Sequence, residues 1–262
     1  MRRTLILALA ALTAMAIAIP VGAQESARIH LIHGIPDTPV DVAAGGENVI
    51  EGFEFGDTQD LSSFAGSTLE GLQVKVAGTE DVAIDAGNVD LPASGNYTVI
   101  AHLDDEGNAT LGIFENDTSE IAAGEGRLTV RHTAAAPAVD VKANGEVAFA
   151  DLAPGAEASA DLPAGTVSAE VVPAGADEPV VIGPADLPVQ EGSSLIVYAV
   201  GSLDGGSIQV LTESITGLGS APAAVDTGNS PVSDGSPLAI GGLLVLIAAL
   251  GGLVVRRIRT AA

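Results

Sequence analysis

The stretch Arg28-Ile-His-Leu-Ile-His33, which runs on as Gly34-Ile-Pro-Asp-Thr-Pro-Val-Asp-Val42, decides the fold, because the chain repeats it. It returns at an offset of 99 residues as Arg127-Leu-Thr-Val-Arg-His132 and Val139-Asp-Val141. A solenoid unit has a period of about 20–50 residues, whereas an offset near one hundred suits an independently folding domain. We therefore predict that one domain has been duplicated.

The first strand of each copy alternates between apolar and polar residues. Ile29 and Leu31 share one face in the first copy, and Leu128 and Val130 share it in the second. Because this face is apolar in both copies, we expect it to face the core of a sandwich. The residues expected on the opposite, outer face are Arg28, His30, Ile32, Arg127, Thr129 and Arg131.

Short runs of Val, Ile and Thr recur between Gly, Pro, Asn and Asp, a pattern typical of an all-β sandwich or barrel. Gly45-Gly46 and Asn144-Gly145 each predict a two-residue hairpin turn. Later strands are predicted at 72–76, 97–103 and 109–115, and in the second copy at 167–172, 195–201 and 208–213. The predicted fold is all-β, with two tandem immunoglobulin-like or transthyretin-like β-sandwich domains of about seven strands each, plus a C-terminal transmembrane helix.

The N-terminus has the features of a secretory signal peptide. Arg2 and Arg3 precede an apolar run from Leu5 to Ile19, and small residues follow up to Ala23. This arrangement predicts cleavage before Gln24. The alternative is an uncleaved membrane anchor.

A second apolar run lies near the C-terminus. Leu238 to Val255 holds 18 residues without a charge, which is long enough to cross a bilayer as a helix. Arg256, Arg257 and Arg259 follow it, so this end is expected in the cytoplasm and the bulk of the chain outside. The alternative is a cell-wall sorting signal, although residues 224–228 lack the Leu and Pro of such a motif.

These features predict the organisation of the chain. The predicted parts are a signal peptide (1–23), a first sandwich (24–118), a linker (119–126), a second sandwich (127–216), a flexible stalk (217–237), a transmembrane helix (238–255) and a cytoplasmic tail (256–262). The stalk is rich in Ala, Pro, Ser and Gly, with almost nothing to bury. Because the linker is short, we expect the two sandwiches to sit end to end.

The composition excludes several classes of function. All 34 acidic residues and only five of the ten basic ones lie between the two apolar runs, and such a surface repels nucleic acid. The absence of cysteine excludes thiol chemistry, cysteine–zinc sites and iron–sulfur clusters. No Gly-x-Ser-x-Gly elbow, His-Glu-x-x-His motif, phosphate-binding loop or dinucleotide fingerprint occurs.

His33 and His132 are the histidines that both copies share. We expect each to end a core strand and to hydrogen-bond the loop that follows, rather than to act as a ligand or an acid–base group. His30 lies three residues before His33, so the two rings point to opposite faces of a strand and cannot bind one ion together. We predict no catalytic, cofactor-binding or metal-binding residue.

Acidic residues at predicted turns offer oxygen ligands of the kind that Ca²⁺ prefers. The run from Asp104 to Asn108 has three carboxylates and suits a weak association with Ca²⁺, but the equivalent tip of the second copy has only Asp204. A solvated hairpin tip is the expected reading. Asp37, Asp41 and Asp57 are similar cases.

The motif from His33 to Val42, together with the later Leu-Pro-Ala-Gly of residues 162–165, resembles the bacterial secreted domain of unknown function family 4397. The resemblance covers residues 27–216. The second copy keeps His132 and Pro137 but has Ala135-Ala136 in place of Pro36-Asp37. The resemblance implies a β-sandwich on exported proteins, often in tandem, and it implies no reaction.

Together these features indicate a membrane-anchored extracellular surface protein without catalysis. They are the export signal, the duplicated domain, the membrane anchor and the absence of a catalytic motif. Its tandem modules would serve adhesion, envelope organisation or the binding of an unknown envelope or extracellular ligand. The alternative is an anchored extracellular hydrolase that uses paired carboxylates. A deep cleft with two close carboxylates would favour that alternative, and so would a polar cluster in one copy only.

Overall fold

The computed structural model describes residues 26–220, which form sixteen strands in four four-stranded sheets and one 3-10 turn, Ser62–Phe64. The strands of the N-terminal half are β1 (Arg28–His33), β2 (Val40–Ala44), β3 (Glu47–Phe53), β4 (Thr58–Asp60), β5 (Thr68–Val76), β6 (Val82–Asp90), β7 (Asn96–Leu103) and β8 (Ala109–Glu115). Those of the C-terminal half are β9 (Glu125–Ala135), β10 (Val139–Ala143), β11 (Glu146–Leu152), β12 (Glu157–Pro163), β13 (Gly165–Pro173), β14 (Ile182–Val189), β15 (Ser193–Ser202) and β16 (Gln209–Thr216). The predicted all-β class is confirmed.

The duplication is visible in the topology. The sheets of the N-terminal half have the order β4-β1-β7-β8 and β3-β2-β5-β6, and those of the C-terminal half have the equivalent orders β12-β9-β15-β16 and β11-β10-β13-β14. The first strand of each half pairs in parallel with the seventh, and the other pairs are antiparallel. Each half has eight strands rather than about seven, because a strand such as β12 (Glu-Ala-Ser-Ala-Asp-Leu-Pro) lacks the β-branched and aromatic residues that normally indicate a strand.

Both predicted hairpin turns are confirmed. Gly45 and Gly46 have φ values of 61° and 85°, and Asn144 and Gly145 have values of 52° and 86°. Positive φ at both central residues defines the type I′ turn, whose twist matches that of the flanking strands.

Each half encloses its own apolar core between its two sheets. Ile29 and Leu31 of β1 lie in the first core, and Leu128 and Val130 of β9 lie in the second. The predicted core face of the first strand is therefore confirmed in both halves.

A third apolar cluster lies between the halves. Its members are Ile32, Ile100, Ile196, Tyr198, Val200 and Leu211, drawn from both halves. Sheet β4-β1-β7-β8 packs against sheet β12-β9-β15-β16, with β7 in contact with β9 and β15. The expectation of sandwiches placed end to end is wrong, because β7, β9 and β15 bury side chains on the face that meets the other half.

The prediction for the outer face of the first strand is therefore wrong for several residues. Ile32, Arg127, Thr129 and Arg131 are buried, whereas Arg28 is exposed and His30 is half-buried. The polar members of this face are covered by the linker or by the other half.

Residues 26–220 have the features of a segment that folds alone. Every strand pairs within this range, and the apolar clusters close inside it. Ile121 of the predicted linker is fully buried and bridges Gly219, so residues 217–220 of the predicted stalk are bound to the C-terminal half. A segment with its own core is the kind that folds alone.

The predicted signal peptide, transmembrane helix, cytoplasmic tail and the rest of the stalk lie outside the described residues. Between residues 26 and 220 there is no helix with the length and apolar character that crossing a membrane requires.

Candidate functional site

His33 ends β1 with its ring inside the first core. The Nε2–H group donates to the carbonyl oxygen of Thr38 at 2.7 Å, and the ring stacks on Phe53 with 5.9 Å between centroids. Burial lowers the pKa of His33 below its ordinary value, so the ring is neutral. The ring thus fixes the Gly34–Thr38 loop.

His132 repeats this arrangement at the end of the equivalent run of β9. Its Nε2–H group donates to the carbonyl oxygen of Pro137 at 2.9 Å, and burial again lowers its pKa. The Nδ1 atoms of His33 and His132 are both buried without a hydrogen-bond partner. The shared geometry is that of a loop-fixing residue, and it supports the structural reading of this pair.

His30 points to the other face of β1, as the spacing predicts. Its Nδ1 atom lies 2.9 Å from a carboxylate oxygen of Glu213 in the C-terminal half. Within residues 26–220, no group of three or more His, Asp or Glu side chains is placed to hold a metal ion.

Asp41 and Asp140 act as equivalent clamps on the outer side of the second sheet in each half. Asp41 accepts the backbone N–H groups of Gly52 and Gly78 at 2.8 and 3.0 Å. Asp140 accepts those of Asp151 and Gly175 at 2.7 and 2.9 Å. Backbone hydrogen bonds hold the pKa of both carboxyls below the ordinary value. Each of these carboxylates therefore holds two backbone segments against the strand that carries it.

Replacing Asp41 with Asn should therefore reduce stability at neutral pH and matter little in acid. A carboxyl with a lowered folded-state pKa stabilises the fold above its ordinary pKa of 3.8, and this contribution is lost as the pH falls through the folded-state value. The melting temperatures of Asp41→Asn and the parent should differ at pH 7 and converge near pH 2 on this argument. Asp105→Asn, at an exposed turn, is the control and should match the parent. A difference independent of pH would contradict the clamp.

The acidic hairpin tip is organised by its own backbone. Asp104 accepts the N–H groups of Glu106 and Asn108 at 3.0 and 2.8 Å, and hydrogen bonding from Asn108 lowers its pKa. Asp57 likewise accepts the N–H of Glu54 at 3.0 Å. These are turn-closing contacts, and association with Ca²⁺ stays a prediction.

Glu213 of β16 lies buried between the two halves. Its carboxylate accepts hydrogen bonds from the hydroxyls of Thr98 and Tyr198 at 2.8 and 2.9 Å, in addition to the contact with His30. Burial by itself would raise the pKa of Glu213, but these hydrogen bonds outweigh it and the pKa lies below its ordinary value. The hydrogen bond to Glu213 in turn raises the pKa of His30.

Arg131 of β9 is the largest fully buried side chain of this interface, with 1% of the residue exposed. Its guanidinium donates to Tyr198 Oη and Asn116 Oδ1, both at 2.8 Å, and to Glu157 Oε2 at 2.7 Å. It also lies over the ring of Phe114, 4.6 Å from the centroid. Because Phe114 and Asn116 belong to the N-terminal half, this cation joins the two halves.

An apolar cavity of about 270 Å³ lies between the two sheets of the N-terminal half. Apolar side chains form its wall except at Gln59 and Asp60. Val49 and Phe64 line it while 61% and 47% exposed, so the cavity opens to the surface beside them. An apolar chamber with few polar groups is the usual form of a small-molecule site.

The two halves differ at the edge of this cavity. Strand β4 ends at Asp60 and gives way to the 3-10 turn, where the Ser62 hydroxyl accepts the N–H of Ile29 at 3.0 Å. The equivalent strand β12 continues to Pro163 and pairs with β9 along its length. The side chains of β12 that pack against the second core are Ala158, Ala160 and Leu162. The early end of β4 leaves the first sandwich open at this edge.

Because the cavity opens to the surface, water enters it. Water finds few hydrogen-bond partners along an apolar wall, so an apolar occupant that displaces this water is favoured.

Sequence reasoning missed both the cavity and the buried interface. The signal for the cavity is the run Leu61-Ser-Ser-Phe64, which the second copy replaces with Ala160-Asp-Leu-Pro163 at the same offset. The signal for the interface is the unbroken apolar run Leu195–Val200. A strand that is buried on one face alternates apolar and polar residues, whereas a strand that is buried on both faces is apolar throughout.

Comparison with known protein families agrees with the resemblance seen in the sequence. Residues 27–142 match the model of the family described as a domain of unknown function (DUF4397). The match spans the N-terminal half and reaches into β10, so the similarity to this family lies in the N-terminal half. No curated protein matches the chain.

Proposed function

We propose that this chain is a non-enzymatic surface protein whose N-terminal sandwich captures a small apolar ligand. The cavity between its sheets is the observation that carries the proposal. In this proposal the C-terminal half is a second copy of the same family domain, and its role is to stabilise the first. Strand β12 closes the edge whose equivalent is open in the N-terminal half. Polar side chains of the C-terminal half are buried against the N-terminal half. Ligand capture is thereby favoured over adhesion and envelope organisation.

The hydrolase alternative gains no support from this cavity. Of the residues that line it, Asp60 is the one acid, and its carboxylate is engaged by the N–H of Ser62 at 2.8 Å. Glycoside hydrolysis needs two carboxyls about 5–10 Å apart on either side of the substrate. The lining of the cavity therefore suits binding of a ligand and lacks the carboxylate pair of a hydrolase.

The strand order favours the transthyretin-like form of the sandwich. In immunoglobulin domains the first strand pairs with the second in one sheet. Here the first strand pairs with the fourth and, in parallel, with the seventh, and the second strand lies in the other sheet. This arrangement leaves the first sheet of each half free to pack against the other half.

Filling the cavity should abolish capture without harming the fold. Naphthalene, an apolar probe without a head group, should bind residues 26–220, and Ala44→Phe should weaken this binding at least tenfold. Ala44 lines the cavity and is half-buried, so the larger ring takes the ligand's space and should leave stability equal or higher. Binding is measured by the fluorescence of naphthalene and stability by thermal melting.

The repeat supplies a matched control. Ala143 is the last residue of β10 as Ala44 is of β2, and it packs against the second core. Ala143→Phe should leave naphthalene binding unchanged. Equal loss in both variants, or no binding by the parent, would contradict capture in the N-terminal cavity.

The proposal places both sandwiches outside the cell, exported by residues 1–23 and held by a single helix at 238–255. Protease added to intact cells should release a fragment that contains residues 26–220 and leave the Arg256–Arg259 end protected. Antibodies against each end would follow the two products. Cleavage of the arginine-containing end before the sandwiches would overturn this orientation.

A further inference from the structure

We propose that the N-terminal cavity selects an uncharged alkyl-chain ligand, and that Gln59 binds the polar end of that ligand. This inference rests on the proposed function and adds the chemistry of what is captured. Four observations carry it: the position of Gln59, its replacement in the second half, the charge around the mouth and the size of the cavity.

Gln59 lines the open cavity from the edge strand β4 and stays exposed to solvent there. It lies opposite Leu31 in the antiparallel pair of β1 and β4, and directly paired residues of adjacent strands project to the same face. Leu31 belongs to the first core, so the Gln59 amide lies on the cavity side. Within residues 26–220 this amide has no protein hydrogen-bond partner, and it can both donate to and accept from a ligand.

The C-terminal half has an alanine at the same place. Val130 is the counterpart of Leu31 in β9, and it pairs with Ala158 of β12. Ala158 packs against the second core. The polar group therefore occurs in the half that has the open edge, and the half whose edge strand continues carries a methyl group instead.

The charge near the mouth is negative. Asp60 contributes to the wall, and hydrogen bonds from Ser62 lower the pKa of its carboxyl, so it is ionised at neutral pH. No Lys or Arg lines the cavity in the part of the chain that the structure describes. A carboxylate head would be repelled here. An ammonium head would lose its hydration on entering the apolar wall, where the one carboxylate, that of Asp60, is already hydrogen-bonded by Ser62.

The cavity volume sets the length of the ligand. A cavity of about 150 Å³ with apolar walls holds benzene, so about 270 Å³ accommodates roughly eleven non-hydrogen atoms on the same scale. A ten-carbon chain with a hydroxyl end has this size, and the hydroxyl can exchange hydrogen bonds with Gln59.

The test compares three ligands of equal chain length on residues 26–220 at pH 7.5. 1-Decanol should bind at least tenfold more tightly than decanoate and more tightly than decylammonium, as measured by calorimetry. Gln59→Ala should weaken 1-decanol binding by roughly threefold to tenfold, the worth of one net hydrogen bond, and leave naphthalene binding unchanged. Ala158→Gln, the reciprocal change in the other half, is the control and should alter neither.

Each outcome separates the two proposals. Suppose that naphthalene binds but decanoate or decylammonium binds as tightly as 1-decanol, or that Gln59→Ala leaves the affinity for 1-decanol unaltered. In either case the selection of an uncharged ligand through Gln59 is wrong, and the capture of an apolar ligand stands. If naphthalene and 1-decanol both fail to bind, the proposed function fails first. A dimer that blocks the cavity in sedimentation experiments would assign the site to a second copy and overturn both.

Discussion

Replacing Arg131 with Met is expected to lower the free energy of unfolding of residues 26–220 by about 2–6 kcal/mol, because the buried oxygens of Tyr198 and Asn116 each lose a donor at a cost of about 1–3 kcal/mol. The methionine keeps most of the apolar volume of the arginine stem, so the loss reports the guanidinium. The oxygens that would lose a donor are those of Tyr198, Asn116 and Glu157. A buried acceptor without a partner carries its full desolvation cost.

The loss should affect both halves together. Because Asn116 and Phe114 belong to the N-terminal half and Arg131 to the C-terminal half, one side chain contributes to the stability of both. Denaturant unfolding would be followed by hydrogen exchange at amides in each core. The parent should lose protection in both cores in one transition, and Arg131→Met should do so at lower denaturant.

Lys142→Met provides the control for loss of a cation from the C-terminal half. Lys142 pairs with Asp177, a side chain that is 93% exposed, and such surface pairs contribute little. This variant should unfold like the parent. Two separate transitions in the parent protein, or an Arg131→Met protein as stable as Lys142→Met, would show that the interface does not couple the halves.

The interface explains why the two copies diverged where they did. At equivalent positions in the strand pairs the N-terminal half has Ile32, Ile100 and Phe114, and the C-terminal half has Arg131, Tyr198 and Glu213. At these three positions one copy thus presents two isoleucines and an aromatic ring, and the other presents a cation, a phenol and a carboxylate. Two copies of the second face would bring like charges together, so divergence makes the sheets complementary.

Much of the fold could be read from the sequence because its signals are local. The alternation of Ile29 and Leu31 fixed the core face, and Asn144-Gly145 fixed a turn type. The packing of one half on the other could not be read from Arg127, Thr129 and Arg131, since polar residues normally indicate a solvated face. Whether a buried arginine has partners depends on residues far away in the chain.

The candidate site was harder to predict for the same reason. A cavity is the difference between the volume that the strands enclose and the volume that the side chains fill. No single residue in the sequence therefore indicates it. Comparison of the two copies does carry the information, because Gln59 and Phe64 stand where the second copy has Ala158 and Pro163. Divergence between the repeats therefore marks this site better than any motif does.

Replacing His33 with Ala should lower the free energy of unfolding by about 1–3 kcal/mol, since the carbonyl of Thr38 loses a buried donor. His132→Ala should have a similar effect through Pro137. Independent modules would confine each loss to one half. Because the halves share a buried interface, we expect either variant to shift a single transition of the whole segment, which calorimetry can follow.

A chelator separates this structural role from a ligand role. If His33 and His132 fix loops, melting of the parent and of both variants should be the same with and without EDTA, because neither ring would lose a metal. A metal role requires the reverse: variants that melt like the parent protein without metal, and a parent that EDTA destabilises. The two rings sit in separate cores and each already binds a carbonyl through Nε2. The loss of that hydrogen bond in either half should therefore by itself lower the free energy of unfolding. The double variant should lose about the sum of the two single losses, as variants at distant sites do.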